Sequence, residues 1–215
     1  DAFTLADAPR LARRGWMPSR GNDVASLRDE IDLAFLLRMN FVLAVMDGAW
    51  TPGNLAPFPF KSHPSIGNPA IPLQVWKDLF AYARARGVEP IPYFASWERS
   101  TFITSKPGYS NHAVSSSVRT GTRPGFKNLD VFQPETRQLV FDLQGEIIDA
   151  LKPASFHIAF DEKNFGELVS DKARAEGRKP SDAVVEQLVQ NGEFLRKRGV
   201  RLCCWGDMLD PSFNG

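Results

Sequence analysis

The sequence predicts an α/β protein built on a parallel sheet, and three observations carry that prediction. An amphipathic helix, a break and a short apolar strand follow one another repeatedly along the chain. The strands are apolar throughout rather than alternating, as strands covered on both faces have to be. The connections are one-sided: helix-to-strand links are a residue or two, around Asn40, Gly87 and Gly199, whereas strand-to-helix links span 47–71, 96–133 and 163–180. Long connections without structure of their own are uncommon unless they carry function. All of these open on the face that holds the strand C-termini. A doubly wound sheet and a (β/α)8 barrel both fit the alternation.

The elements follow in order. An opening strand is expected at Arg14 to Pro18. Leu27 to Met39 has helical period, with Leu27, Ile31, Ala34 and Phe35 on one side and Ser26 as N-cap. It leads through Asn40 into the strand Phe41 to Met46. Pro72 to Arg86 is a second helix, and Val88 to Ala95 a strand. Pro134 to Leu151 is a third helix, stopped by Pro153, with Phe156 to Phe160 as its strand. Ser181 to Arg198 is a fourth helix, and Val200 to Trp205 the last strand. Arg86-Gly87-Val88 and Arg198-Gly199-Val200 repeat one punctuation: a glycine takes the left-handed C-cap and a β-branched residue opens the strand.

Bulk properties narrow the function. A length of 215 residues suits one domain with a real core. A net charge of +1 gives no long-range field toward nucleic acid or an anionic membrane. No apolar run reaches transmembrane length. Arg196-Lys197-Arg198 closes a helix, where cations suit the dipole. Cys203 and Cys204 are neighbours on a strand, point to opposite faces, and are expected as core thiols. No phosphate loop, dinucleotide fingerprint, nucleophile elbow or zinc-ligand spacing is present.

What remains is a set of acids and aromatics at strand ends. Phe156-His157-Ile158-Ala159-Phe160 stops at Asp161 and Glu162, two neighbouring carboxyls that diverge and so can take different jobs. Asp29-Glu30, by contrast, sits in the first turn of a helix, where a solvated pair suits the dipole. Asp47 follows the second strand, Trp97 and Glu98 the third, and Trp205 and Asp207 the fifth. Aromatic faces suit the C–H face of a sugar and carboxylates accept its hydroxyl protons, so this rim reads as a carbohydrate pocket. His157 lies inside its strand, where a histidine is more often a core residue; it is kept as a substrate-side candidate.

In order along the chain, these segments resemble glycoside hydrolase family 20, the β-N-acetylhexosaminidases. The segments are Asp7-Ala8-Pro9-Arg10 with Arg14-Gly15, then Leu37 to Leu43 with Met46-Asp47 and Trp50. Tyr82 to Pro92 follows, then Phe156 to Glu162, which is similar to the signature His-x-Gly-Gly-Asp-Glu, and last Trp205-Gly206-Asp207. The resemblance implies a (β/α)8 barrel, of which about five βα units are present, and 1–215 as one incomplete catalytic domain. It implies retaining, substrate-assisted hydrolysis of terminal β-linked N-acetylhexosamine, with no metal or organic cofactor and an N-acetylhexosamine-containing glycan as partner. Glu162 would be general acid and then base, and Asp161 would orient the substrate's acetamido group. Arg14 and Asp47 would bind hydroxyls, and Trp205 would form a wall, joined by Asp207, Trp97 and His157. It also favours an extracytoplasmic or secreted location. Two departures stand out: Ala159-Phe160 replaces the Gly-Gly before the acids, and Ala95-Ser96-Trp97-Glu98-Arg99 has no histidine where the family has one. They motivate an alternative, a non-catalytic or altered-specificity glycan-binding relative. A two-carboxylate glycosidase pairing Glu162 with Glu98 or Asp207 is a third reading.

Overall fold

A computed structural model describes residues 10–18, 24–49, 56–117, 127–161 and 168–210. Five strands form one sheet in the order β1 (Gly15–Trp16), β2 (Phe41–Val45), β3 (Glu89–Tyr93), β4 (Ser155–His157) and β5 (Arg201–Cys203). Every neighbouring pair is parallel. This decides between the two topologies open to the sequence. A doubly wound sheet reverses its strand order at a switch point, whereas here chain order and spatial order coincide, as in a barrel wall.

The registers align Val45, Tyr93, His157 and Cys203 in one row at the C-terminal rim. β3 pairs with β4 only at Tyr93↔His157, followed by Phe94 N–H to the His157 carbonyl at 2.9 Å. The Glu89 N–H turns toward β2, bonding the Asn40 carbonyl at 2.9 Å, so alternate positions turn toward β4. Two of those positions are Pro90 and Pro92, which have no N–H to give, and the lower part of the pairing is lost.

The main helices are α1 (Val24–Leu36), α2 (Leu73–Ala85), α4 (Pro134–Leu151) and α6 (Pro180–Lys197), with short turns α3 (Thr101–Thr104) and α5 (Asp171–Ala175) inside the long connections. Leu27, Ile31 and Ala34 on α1, Trp76, Leu79, Phe80 and Ala83 on α2, and Leu143, Ile147 and Leu151 on α4 bury one stripe each. They meet the outward residues of the sheet, Val42, Ala44 and Phe156, which are fully buried. Residues of the opposite parity, Phe41, Leu43, Ile91, His157 and Cys203, line the concave face. Gly87 and Gly199 both take φ of +69°, the left-handed caps the sequence predicts. Ser26 lies within α1 rather than capping it, and Arg38 (φ 56°) makes the left-handed exit before Asn40. Cys203 and Cys204 are half-buried beside the concave face rather than in the core. Among the described residues no helix is long and apolar enough to cross a membrane.

Candidate active site

Each strand of the rim row runs on into a residue of the site. Past Val45, Asp47 is 1% exposed. Its Oδ1 accepts the Ala49 N–H at 3.0 Å and its Oδ2 the Ala95 N–H at 3.3 Å, which ties the end of β2 to the end of β3. Burial outweighs those two bonds and pushes its carboxyl up to about 6.

Past Tyr93, the chain turns through Trp97 and Glu98 into Arg99, which holds a left-handed φ of 53°. Glu98 is 3% exposed, and its Oε1 accepts the Phe160 N–H at 2.9 Å. Burial first, and then the Asp161 carboxylate beside it, drive Glu98 well above the usual carboxylate range.

Past His157, the strand ends earlier than the expected Phe160. Ala159 (φ 63°) and Phe160 (φ 71°) form a left-handed pair, the conformation glycine adopts without strain. The two residues that stand where the family pattern has Gly-Gly thus keep a glycine-like backbone. Three bonds hold it: Ala159 N–H to His157 Nδ1 (3.1 Å), Phe160 N–H to Glu98, and Trp205 N–H to the Ala159 carbonyl (2.9 Å). The turn delivers Asp161, whose Oδ2 lies 3.0 Å from the Arg99 guanidinium. Both side chains of that ion pair are largely buried, at 11% and 17% exposure.

Ala159→Gly tests the strain. A buried Ala→Gly change ordinarily loses a methyl contact and adds unfolded-chain entropy, together about 1–2 kcal/mol. Relief of the left-handed conformation returns about 1–2 kcal/mol. Urea unfolding is therefore expected to find the variant within about 1 kcal/mol of wild type; a loss well beyond that would mean the turn carries no strain.

The aromatic wall lies beside the acids. His157 stacks on Tyr93 (centroids 5.1 Å apart, planes at 27°) and meets Trp205 at 4.7 Å. Its Nδ1 accepts a backbone N–H and burial lowers it to about 4, so the ring is neutral at pH 7 and carries its proton on Nε2. Tyr93 is raised above its ordinary value by burial and then by the carboxyl groups of Glu98, Asp161 and Asp47, which places its phenol beside them. Trp205 and His157 border a cavity of about 310 Å³ that also touches Met17, Phe41, Leu43 and Ile91.

The structure therefore gathers Asp47, Glu98, Asp161, His157 and Trp205 at one rim. Asp207 opens a short 3-10 turn, Asp207–Leu209, beyond β5 and acts on the thiol of Cys204. Glu162, Trp50 and Asp7-Ala8-Pro9 lie outside the described residues.

Two expected substrate-side residues lie away from the rim in this structure. Arg14 sits at the opposite end of the sheet. Its Nε and Nη2 donate to the Arg38 carbonyl at 3.1 and 2.9 Å, and its backbone N–H bonds Asn40 before β2 begins. Seven residues of strand rise, roughly 20 Å, separate that level from Asp47. Trp97 is 1% exposed and packs against the Phe160 ring (centroids 6.0 Å apart), so it supports the turn from behind and offers no face to a sugar.

Tyr93 and Arg99 are members of the site that sequence reasoning missed. Two-residue spacing from Ile91 was the available signal for Tyr93, since it sets the pair on one face; Arg99 gave none.

The sequence matches no protein-family model and no curated protein. Solved structures do match. A β-N-acetylhexosaminidase from Bacteroides fragilis NCTC 9343 aligns with a TM-score of 0.70 at 19% identity, over 93% of this chain and 42% of that one. The family 20 β-N-acetylhexosaminidase of Streptomyces coelicolor A3(2) gives 0.67 at 18% identity, over 94% and 41%. A family 20 exo-β-N-acetylglucosaminidase of Vibrio harveyi gives 0.70 at 17% identity, over 94% and 36%. The chain thus spans less than half the length of these structures. Over the five strands it covers, it has the fold of the glycoside hydrolase family 20 β-N-acetylhexosaminidases, an α/β barrel wall with its acids at the C-terminal rim.

Proposed function

We propose that the chain is part of a glycoside hydrolase that removes terminal β-linked N-acetylhexosamine by retaining, substrate-assisted catalysis. The observation that carries this reading is the end of β4. There Asp161, fixed by the Arg99 guanidinium at 3.0 Å, stands beside an aromatic wall of Tyr93, His157 and Trp205.

In this reading the substrate's 2-acetamido oxygen attacks the anomeric carbon as the glycosidic bond breaks, and Glu162 gives its proton to the leaving oxygen. The acetamido nitrogen carries positive charge in the oxazolinium ion so formed. Asp161 orients that group and offsets the charge. Glu162, now a carboxylate, takes a proton from water as the water opens the ring with net retention. Trp205 supplies an apolar face, His157 a neutral Nε2–H donor, and Asp47 the scaffold that fixes the ends of β2 and β3.

Glu162→Gln in the full-length protein tests the assignment. Its hydrolysis of an aryl β-N-acetylglucosaminide is expected to fall by about 10²–10⁴-fold, the usual worth of a positioned general acid. Equal activity in both proteins would remove Glu162 from that role. The non-catalytic alternative draws on Phe160, bulky where the family pattern has glycine; saturable binding of N-acetylglucosamine by the wild type with no product released would favour it.

A further inference from the structure

We propose that Glu98 is a positioning residue of this site: its carboxyl group holds Asp161 through a shared proton and holds the left-handed turn before Asp161 through the Phe160 N–H. The inference rests on the glycosidase reading for its effect on rate, though not for the contact itself.

The geometry is specific. Glu98 comes from the connection after β3 and Asp161 from the end of β4; Glu98 is 3% exposed, accepts the backbone N–H of the residue just before Asp161, and has the Asp161 carboxylate beside it. Glu98 Oε1 is committed to the Phe160 N–H at 2.9 Å, while its buried Oε2 meets no N–H or O–H donor among the described residues. Two carboxylates are acceptors only, so a hydrogen bond between them requires one proton. Its location follows from the neighbours. Asp161 faces Arg99 at 3.0 Å, which favours its charged form. Glu98 is almost wholly buried, and the Asp161 carboxylate beside it opposes its ionisation. The proton therefore resides on Glu98, and the unit reads Glu98–COOH, Asp161–COO⁻, Arg99⁺. Around it stand Asp47 from the end of β2 and the Tyr93 phenol from β3.

Neutral Glu98 thus replaces a second negative charge by a donor aimed at Asp161. Deprotonation would set two carboxylates against each other and push Asp161 off the acetamido group. The same carboxyl clamps the strained Ala159-Phe160 pair, which joins backbone geometry to protonation.

The substitution that isolates this role is Glu98→Gln. The amide keeps an oxygen for the Phe160 N–H and supplies a permanent N–H for Asp161, so it mimics the protonated acid at every pH. Glu98→Ala removes both contacts. A carboxyl raised in the folded state lends stability that is complete below its ordinary value of 4.5 and is lost as pH rises through the folded value. In the full-length protein the Tm of the wild type should therefore fall relative to Glu98→Gln as pH rises, the gap changing by about 3 °C or more between roughly pH 5 and 8. On the glycoside, Glu98→Gln should keep kcat/KM within about threefold of wild type at acid pH and move the alkaline limb to higher pH, leaving only the limb set by the general acid Glu162. Glu98→Ala should lose on the order of 100-fold, the effect of a misplaced reacting group.

Parallel Tm–pH curves for wild type and Glu98→Gln would overturn the shared proton, and identical alkaline limbs would overturn its role in positioning. Should no glycoside be hydrolysed, the proposed reaction falls, and the Tm gap alone still decides whether Glu98 and Asp161 share a proton.

Discussion

Asp161→Ala is expected to lower kcat/KM on an aryl β-N-acetylglucosaminide by on the order of 10²–10³-fold, the cost of removing one preorganised group aimed at transition-state charge. The charge in question sits on the acetamido group as the oxazolinium forms. An aryl glycoside with a 2-hydroxyl in place of the acetamido group develops no such charge, so on it the same variant should change the slow residual rate by no more than a few-fold. Equal losses on both substrates would show that Asp161 supports the scaffold and not the assisted step. A stability measurement belongs beside the kinetics. The change leaves the Arg99 guanidinium, only 11% exposed, without its carboxylate. Removing one partner of a buried ion pair costs about 3–5 kcal/mol when the pair is fully buried, and partial solvent access reduces that to roughly 2–3 kcal/mol here. Asp161→Asn keeps an oxygen for Arg99 and an amide near Glu98. It should therefore recover most of the stability and little of the rate, which separates charge from shape.

How much of this was legible in the sequence depends on whether the signal was local. Helix period is local, and the stripe Leu27-Ile31-Ala34 lies where the spacing put it. The glycine stops at Gly87 and Gly199 are local too, and both show the left-handed φ they imply. The barrel-like strand order was not local: alternation alone fits two topologies, and only the pairing separates them. The short α3 and α5 turns also escaped, since single turns show no period.

The site was legible as a rim and not as a network. Strand ends located Asp47, Glu98, Asp161 and Trp205, but the bond from Phe160 N–H to Glu98 joins residues 62 positions apart. The same limit explains the misplaced members. A match to Arg14-Gly15 reveals a residue pair and not the end of the strand its guanidinium occupies, and Arg14 bonds the Arg38 carbonyl on the far side. Trp97 follows a strand as a pocket tryptophan would, yet the loop folds back and seats Phe160 on it. The early end of β4 was hidden because the apolar run Ile158-Ala159-Phe160 continues the strand pattern, and nothing in those side chains reports a positive φ.

Phe160→Gly sets the two energies of that turn against each other. Glycine would restore the residue type that the left-handed φ of 71° favours and would release about 1–2 kcal/mol of strain. It would also remove a ring that is 1% exposed and packed on Trp97. Truncating a buried phenylalanine costs about 3–5 kcal/mol, and the added backbone freedom of the unfolded chain about 0.5–1 kcal/mol more. The packing loss wins, and urea or thermal unfolding of the full-length protein should show a net destabilisation of about 3 kcal/mol. A variant as stable as wild type would mean that the ring contributes nothing beyond its strain. The cavity left behind lies over Trp97 and next to the Phe160 N–H that Glu98 accepts, so the same change loosens the clamp on Asp161. Adding Glu98→Gln to it should then give a smaller further loss in kcat/KM than the two single changes predict together, because both act through one turn. In this chain the large side chain at Phe160 stabilises a backbone that its own conformation strains, and the buried ring accounts for how a non-glycine pair persists in front of the acid.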